Sequence, residues 1–303
     1  MINTHVKIGK TILKKPILGA SGCSGWGEEL LRFNDFRKIG GFVTKSITLK
    51  EKIGNEMPRI METYGGLLNS IGLENKGVEY FIENILPKIK NFECAKFLNI
   101  VPFEESELKR MIEILDRRNG FDGYELNISC PNISNGDVSF NSSVSEAMKL
   151  IKNARKLTNK TLLLKLSPVY EASFEIAKMA EDAGFDGITF TNTYLGTAIN
   201  IKERKFYFKN KQAGLSGGAI KPISLMNVYK MTKKVNIPII AVGGIKSLDD
   251  VLEYLIIGAS AVQIGTYLLI EPDILSRISE ELTAYMEKEK INDISDIIRS
   301  LKE

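Results

Sequence analysis

The sequence predicts a (β/α)8 barrel, and three observations carry that reading. Eight short apolar or β-branched runs alternate with helix-period segments along almost the whole chain. The runs are continuously apolar, as strands buried on both faces of a parallel sheet are. The 303 residues suit one such barrel, a single domain spanning 1–303. A doubly wound sheet is the architectural alternative.

Taken in order, the opening HVKIGKTILKK reads as a small hairpin before the barrel, placed to close its bottom. The barrel strands follow at 16–20 (PILGA), 41–45 (GFVTK), 95–100 (AKFLNI) and 123–127 (GYELN). They continue at 161–166 (TLLLKL), 187–191 (GITFT), 238–242 (PIIAV) and 260–264 (SAVQI). Helix-period segments fill most of the intervals; in EASFEIAKMAEDAG, Gly184 is placed to cap a helix C-terminus. The fourth strand rises from the Gly/Asp turn of GFDGYELNIS and must stop near Pro131, which has no backbone N–H. Cys130 therefore stands at or just past the carboxyl end of that strand. It is either a packing cysteine or a thiol offered to something.

Long connections follow strands two, four and six, over roughly 46–75, 128–141 and 192–220, and such loops in compact domains are functional covers or disordered insertions. GGLLNSIGLENKG in the first has glycines, Asn69 and few charges, which suits backbone contact with a small ligand. FYFKN in the third supplies aromatics that read as packing or interface residues.

Composition narrows the function. Hydrophobic residues make up 44% and charged residues 26%, ordinary for a soluble globular protein. A formal charge of +4, from 41 basic and 37 acidic residues without a long basic run, suits small anionic ligands rather than nucleic acid. No apolar run approaches a membrane span, and MINTHVKIGK lacks the apolar core of a signal peptide, so a cytoplasmic location is expected. Cys23, Cys94 and Cys130 are too scattered for a disulfide framework or a metal site. The one histidine, His5, lies in the N-terminal segment, which argues against a histidine-based triad.

The residues at the strand ends are Ser21, Lys45, Asn99, Asn127, Lys165, Asn192, Gly243–Gly244 and Gly265–Thr266. Barrel enzymes keep their active sites there. A lysine inside LLLKL is costly to bury unless a negative group meets it; otherwise its ammonium escapes to solvent along the stem. VGGIKSLDDV and QIGTYLL each set a glycine turn between a strand and a helix. Such turns present backbone N–H groups to a phosphate, and the ends of strands seven and eight are where barrels hold one. Cys130 would overhang the same mouth, where neighbouring cations lower a thiol pKa and suit it to act as base or nucleophile.

In its ordered motifs the chain resembles the class 1 dihydroorotate dehydrogenases, flavoproteins of pyrimidine synthesis. The motifs run from ASGCSGWGEE through KSIT, NSIGLENKG, NISCPN, LKLSP, TNT, GLSGGAIKP and VGGI to QIGT, over almost the full length. The resemblance implies FMN across the barrel mouth and a cysteine base in SCPN, here Cys130. The quinone-linked, membrane-associated class has serine there and an extra N-terminal segment, so the soluble class fits. Cys130 would take the proton next to the substrate carbonyl, and a hydride would pass to flavin N5, yielding orotate from (S)-dihydroorotate. Lys165 would lie against the flavin pyrimidine edge, and Lys45 would touch flavin and substrate. Asn69, Asn127, Asn192 and Thr193 would meet the pyrimidine ring, and backbone amides of Ser70, Ile71, Gly72 and Leu73 the substrate carboxylate. Ser21, Ser46, Asn99, Asn127, Thr191 and Gly217 carry over as FMN contacts, and Gly243, Gly244, Gly265 and Thr266 as the phosphate cradle.

Within the class, NISCPNISNGDVSF, GLSGGAIKPISL and the length look closest to the NAD-linked catalytic subunit. Lys76 and Gly218, where that pattern carries proline, and the segment around Tyr194 depart from it. Three scattered cysteines cannot hold an iron–sulphur cluster, and no G-x-G-x-x-G turn follows a strand. A partner subunit carrying FAD and a 2Fe–2S cluster is therefore expected, with two such chains pairing as a homodimer within a heterotetramer. The alternatives are a fumarate-using homodimer, a related dihydropyrimidine dehydrogenase and a non-redox phosphate-binding barrel. A tRNA-dihydrouridine reductase would need an RNA-binding domain and a basic surface.

Overall fold

A computed structural model describes residues 2–128, 144–169 and 172–302, without the side chains of 144–146. The chain opens with a hairpin, β1 (Val6–Ile8) and β2 (Thr11–Leu13), then enters β3 (Ile17–Gly19) and β4 (Gly41–Val43). A second hairpin follows, β5 (Ile60–Thr63) and β6 (Gly66–Asn69). Next come β7 (Ala95–Ile100), β8 (Gly123–Asn127), β9 (Thr161–Lys165) and β10 (Gly187–Phe190). Four short strands, β11 (Tyr194–Gly196), β12 (Ile199–Asn200), β13 (Lys205–Phe206) and β14 (Ala213–Ser216), precede β15 (Ile239–Val242) and β16 (Ala261–Ile264).

Eight of these close a barrel, in the order β3-β4-β7-β8-β9-β10-β15-β16 and back to β3. Every pair is parallel. Helices such as Glu105–Leu115, Lys221–Lys234 and Leu248–Ile256 run between strands, so both faces of the sheet are covered. The barrel strands are almost wholly buried, which is why they read as continuous apolar runs. Strand β7 and strand β8 match the expected residues. The strands expected from Pro16 and Pro238 begin one residue later, because proline has no N–H for the ladder. Both prolines still accept through their carbonyls, from Val262 and Ile188.

The N-terminal hairpin closes the bottom, as expected. The Thr11 and Thr161 hydroxyls lie 2.8 Å apart, and the Lys10 N–H donates to Thr161 Oγ1 at 3.2 Å. Ile8 and Leu13 are buried there. The first and third long connections are partly ordered into a sheet. β5 and β6 pair with β14 and β11 in the antiparallel order β11-β14-β6-β5, with Asn69 opposite Gly214. This sheet has its own small core of Leu68, Phe208 and Ala213, so the FYFKN aromatics include a packing residue.

Candidate active site

The carboxyl ends of the barrel strands and the four-stranded sheet surround a cavity of 540 Å³. That size is typical of small-ligand and cofactor sites. All the expected site residues line it except three. Ser70 and Asn99 are buried out of contact with it. Cys130 lies outside the described residues.

Strand ends set the lining. Lys45 follows β4; its backbone N–H donates to the Gly25 carbonyl at 2.6 Å, and its ammonium stands 5.3 Å from the Trp26 ring centroid. Asn127 and Lys165 close β8 and β9 as register partners. Past β10, Thr191 lies 3.2 Å from the Ser224 hydroxyl, and the Asn192 side chain accepts from the Thr193 N–H at 2.8 Å. The Thr266 hydroxyl donates to Ser216 Oγ at 2.7 Å, joining the turn after β16 to the mouth sheet.

The 70–73 loop is held from one side. The Asn55 N–H donates to the Ile71 carbonyl at 3.0 Å, and its side chain to the Ser70 carbonyl at 3.1 Å. The Ser70 N–H is engaged by the Arg59 carbonyl at 2.7 Å, while Ile71, Gly72 and Leu73 face the cavity. Gly72 and Leu73 both have left-handed backbone, φ 73 and 59, which costs a non-glycine residue energy and marks a specified loop shape.

Lys165, buried at the end of β9, needs a negative group beside it. The structure answers with Glu125, which is fully buried. Its Oε1 lies 3.3 Å from Lys165 Nζ and accepts from Asn99 Nδ2 at 2.7 Å. Its Oε2 accepts from Gln263 Nε2 at 2.8 Å. Neither Glu125 nor Gln263 was expected from the sequence. The signal was present, because alternate strand residues share a face: Glu125 lies two before Asn127, and Gln263 two before Gly265.

Two glycine turns approach each other at the mouth. A Cβ on Gly217 (φ +97) would lie 2.7 Å from the Gly66 Cα, and one on Gly244 (φ +71) would lie 3.0 Å from the Gly217 carbonyl oxygen. Both need glycine for conformation and for space. Backbone-lined turns suit a phosphate, while the Asn127 amide and the Lys165 ammonium suit the edge of a polar ring. This donor set fits FMN.

Two other cysteines are described. Cys23 lines the cavity; burial pushes its thiol up to about 11, against the pull of Lys165. Cys94 is buried, which raises its thiol to about 12. Both are protonated at neutral pH, and a base must be the thiolate.

The chain is similar to known proteins over almost its whole length. The family model described as dihydroorotate dehydrogenase matches residues 3–286. A protein of Thermoanaerobacter sp. named dihydroorotate dehydrogenase B (NAD(+)), catalytic subunit, is 42% identical over 99% of each chain. A Bacteroides thetaiotaomicron protein of the same name is 38% identical over 100% of each. A Petrotoga mobilis protein, again of that name, is 40% identical over 98% of this chain and 99% of its own. Among solved structures, a crystal structure of DHODH in complex with ferulenol from Eimeria tenella superposes with a TM-score of 0.80. It covers 98% of this chain and 88% of the other at 22% identity, a likeness of fold.

Proposed function

The chain belongs to the dihydroorotate dehydrogenase family, and we propose that it is the FMN-bearing catalytic subunit of an NAD-linked dihydroorotate dehydrogenase. It oxidises (S)-dihydroorotate to orotate in de novo UMP synthesis. The observation that carries this reading is the gathering of Lys45, Asn69, Asn127, Lys165 and Asn192 around one cavity closed by glycine turns.

In this reading the turns at 217, 243–244 and 265–266 hold the phosphate, and Ser21, Ser46 and Thr191 line the rest of the cofactor site. Bound FMN supplies the acceptor for the hydride that leaves the substrate ring. Asn69, Asn127, Asn192 and Thr193 orient that ring through paired donors and acceptors. The cavity-facing residues Ile71, Gly72 and Leu73 receive its carboxylate, and the Lys45 ammonium adds charge attraction for the anionic substrate. Cys130 removes the proton from the carbon next to the substrate carbonyl.

Electrons leave through a partner subunit carrying FAD and a 2Fe–2S cluster, two catalytic chains pairing within a heterotetramer in the cytoplasm. Support comes from the relatives named as NAD(+) catalytic subunits. Among the described residues, no helix is long and apolar enough to cross a membrane. Of the departures from the NAD-linked pattern, Lys76 pairs with Glu51, the Tyr194 hydroxyl accepts from Asn227 Nδ2 at 2.9 Å, and Gly218 follows the cavity-lining Gly217.

The acceptor assay tests this subclass. With dihydroorotate as donor, the FMN-loaded chain alone is expected to reduce NAD slowly or not at all, and the co-expressed partner to restore it. Efficient fumarate reduction by the lone chain would place it among the fumarate-using homodimers instead.

A further inference from the structure

Three side chains of the cavity wall are held from behind by one buried carboxylate. Glu125 holds Lys165 directly, at 3.3 Å. Through Asn99 it also holds two others: the Asn99 Oδ1 accepts from Ser46 Oγ at 2.7 Å and from Asn127 Nδ2 at 3.4 Å, while its Nδ2 donates to Glu125 at 2.7 Å. Gln263 closes the cage from the opposite side at 2.8 Å. Ser46, Asn127 and Lys165 all line the cavity, and Glu125 does not. Both oxygens of Glu125 face donors only, the geometry of a carboxylate rather than a carboxylic acid.

We propose that Glu125 is a positioning residue that fixes Lys165, Ser46 and Asn127 against the cofactor and offsets the Lys165 charge, and so lowers the reduction potential of the bound flavin. The inference rests on the FMN reading above. A lone ammonium beside the ring would favour the reduced, anionic form; a carboxylate behind it cancels part of that field. The carboxylate thus keeps the flavin able to pass electrons on rather than hold them.

Glu125→Gln is the variant to test it. It keeps the shape, and the hydrogen bond to Gln263 can re-form with its direction reversed. Gln263 Oε1 is buried without a hydrogen-bond partner among the described residues, so a flip of the Gln263 amide presents it to the new NH2 group. The measurement is the midpoint potential of the flavin, by dye-equilibrated redox titration of the FMN-loaded chain. E125Q is expected to favour reduction by about tenfold, or ~30 mV for a two-electron couple. A folded E125Q that matches wild type, or that sheds its flavin, would overturn the proposal. If E125Q does not fold, the charge-free pair Lys165→Met/Glu125→Gln decides. Recovery of folding in the pair shows that the unpaired lysine was the fault, as proposed; failure of the pair makes Glu125 a scaffold residue only. Wild type that takes up no FMN would instead refute the cofactor reading itself.

Discussion

Cys130→Ala is expected to keep its FMN and to lose dihydroorotate-dependent flavin reduction by about 10²–10⁴-fold, the usual cost of removing a general base. The loss should fall on the reductive half-reaction, because the proton leaves the substrate in that step. Wild-type reduction should rise with pH as the thiol ionises, since only the thiolate can accept the proton. That limb should vanish in the variant. Stopped-flow reduction across pH separates the two effects. Near-normal bleaching in Cys130→Ala would assign the base elsewhere, and Cys23 is a poor substitute, its thiol held at about 11 by burial.

Lys165→Ala is expected to cost about 3–5 kcal/mol of stability, the penalty for leaving a buried partner charge unpaired. Glu125 is fully buried and Lys165 nearly so, its side chain only 6% exposed. The two other donors, Asn99 and Gln263, are neutral and cannot replace the ammonium. Urea unfolding of the apo chain measures the loss directly. The same variant should retain FMN less well and have a lower flavin potential, since the cation at the ring edge is gone. A variant as stable as wild type would mean that the lysine reaches solvent along its stem and that Glu125 is held by the amides alone.

The barrel was legible because its strands obey a local rule. AKFLNI and GYELN are continuously apolar or inward-facing between turn residues, and the structure places β7 and β8 on those residues. The cavity lining was legible for a related reason: a parallel barrel builds its site at the carboxyl ends of the strands and in the loops that follow, so the residues at and just past the strand ends read most of the site, Asn99 excepted. What escaped was non-local. The mouth sheet pairs Asn69 with Gly214, and nothing in either loop announces a partner so distant in sequence. Glu125 escaped because its three donors come from three other strands, β7, β9 and β16. A glutamate inside a strand looks like a solvent-facing charge until the alternation with Asn127 is followed inward.

The most direct measurement is an anaerobic titration of the purified chain with (S)-dihydroorotate, following the visible flavin absorbance and the orotate formed. The proposed function predicts a yellow protein that bleaches with one equivalent of substrate and releases one equivalent of orotate without partner or NAD. A colourless chain that takes up no FMN, or a bound flavin that dihydroorotate leaves oxidised, would contradict it.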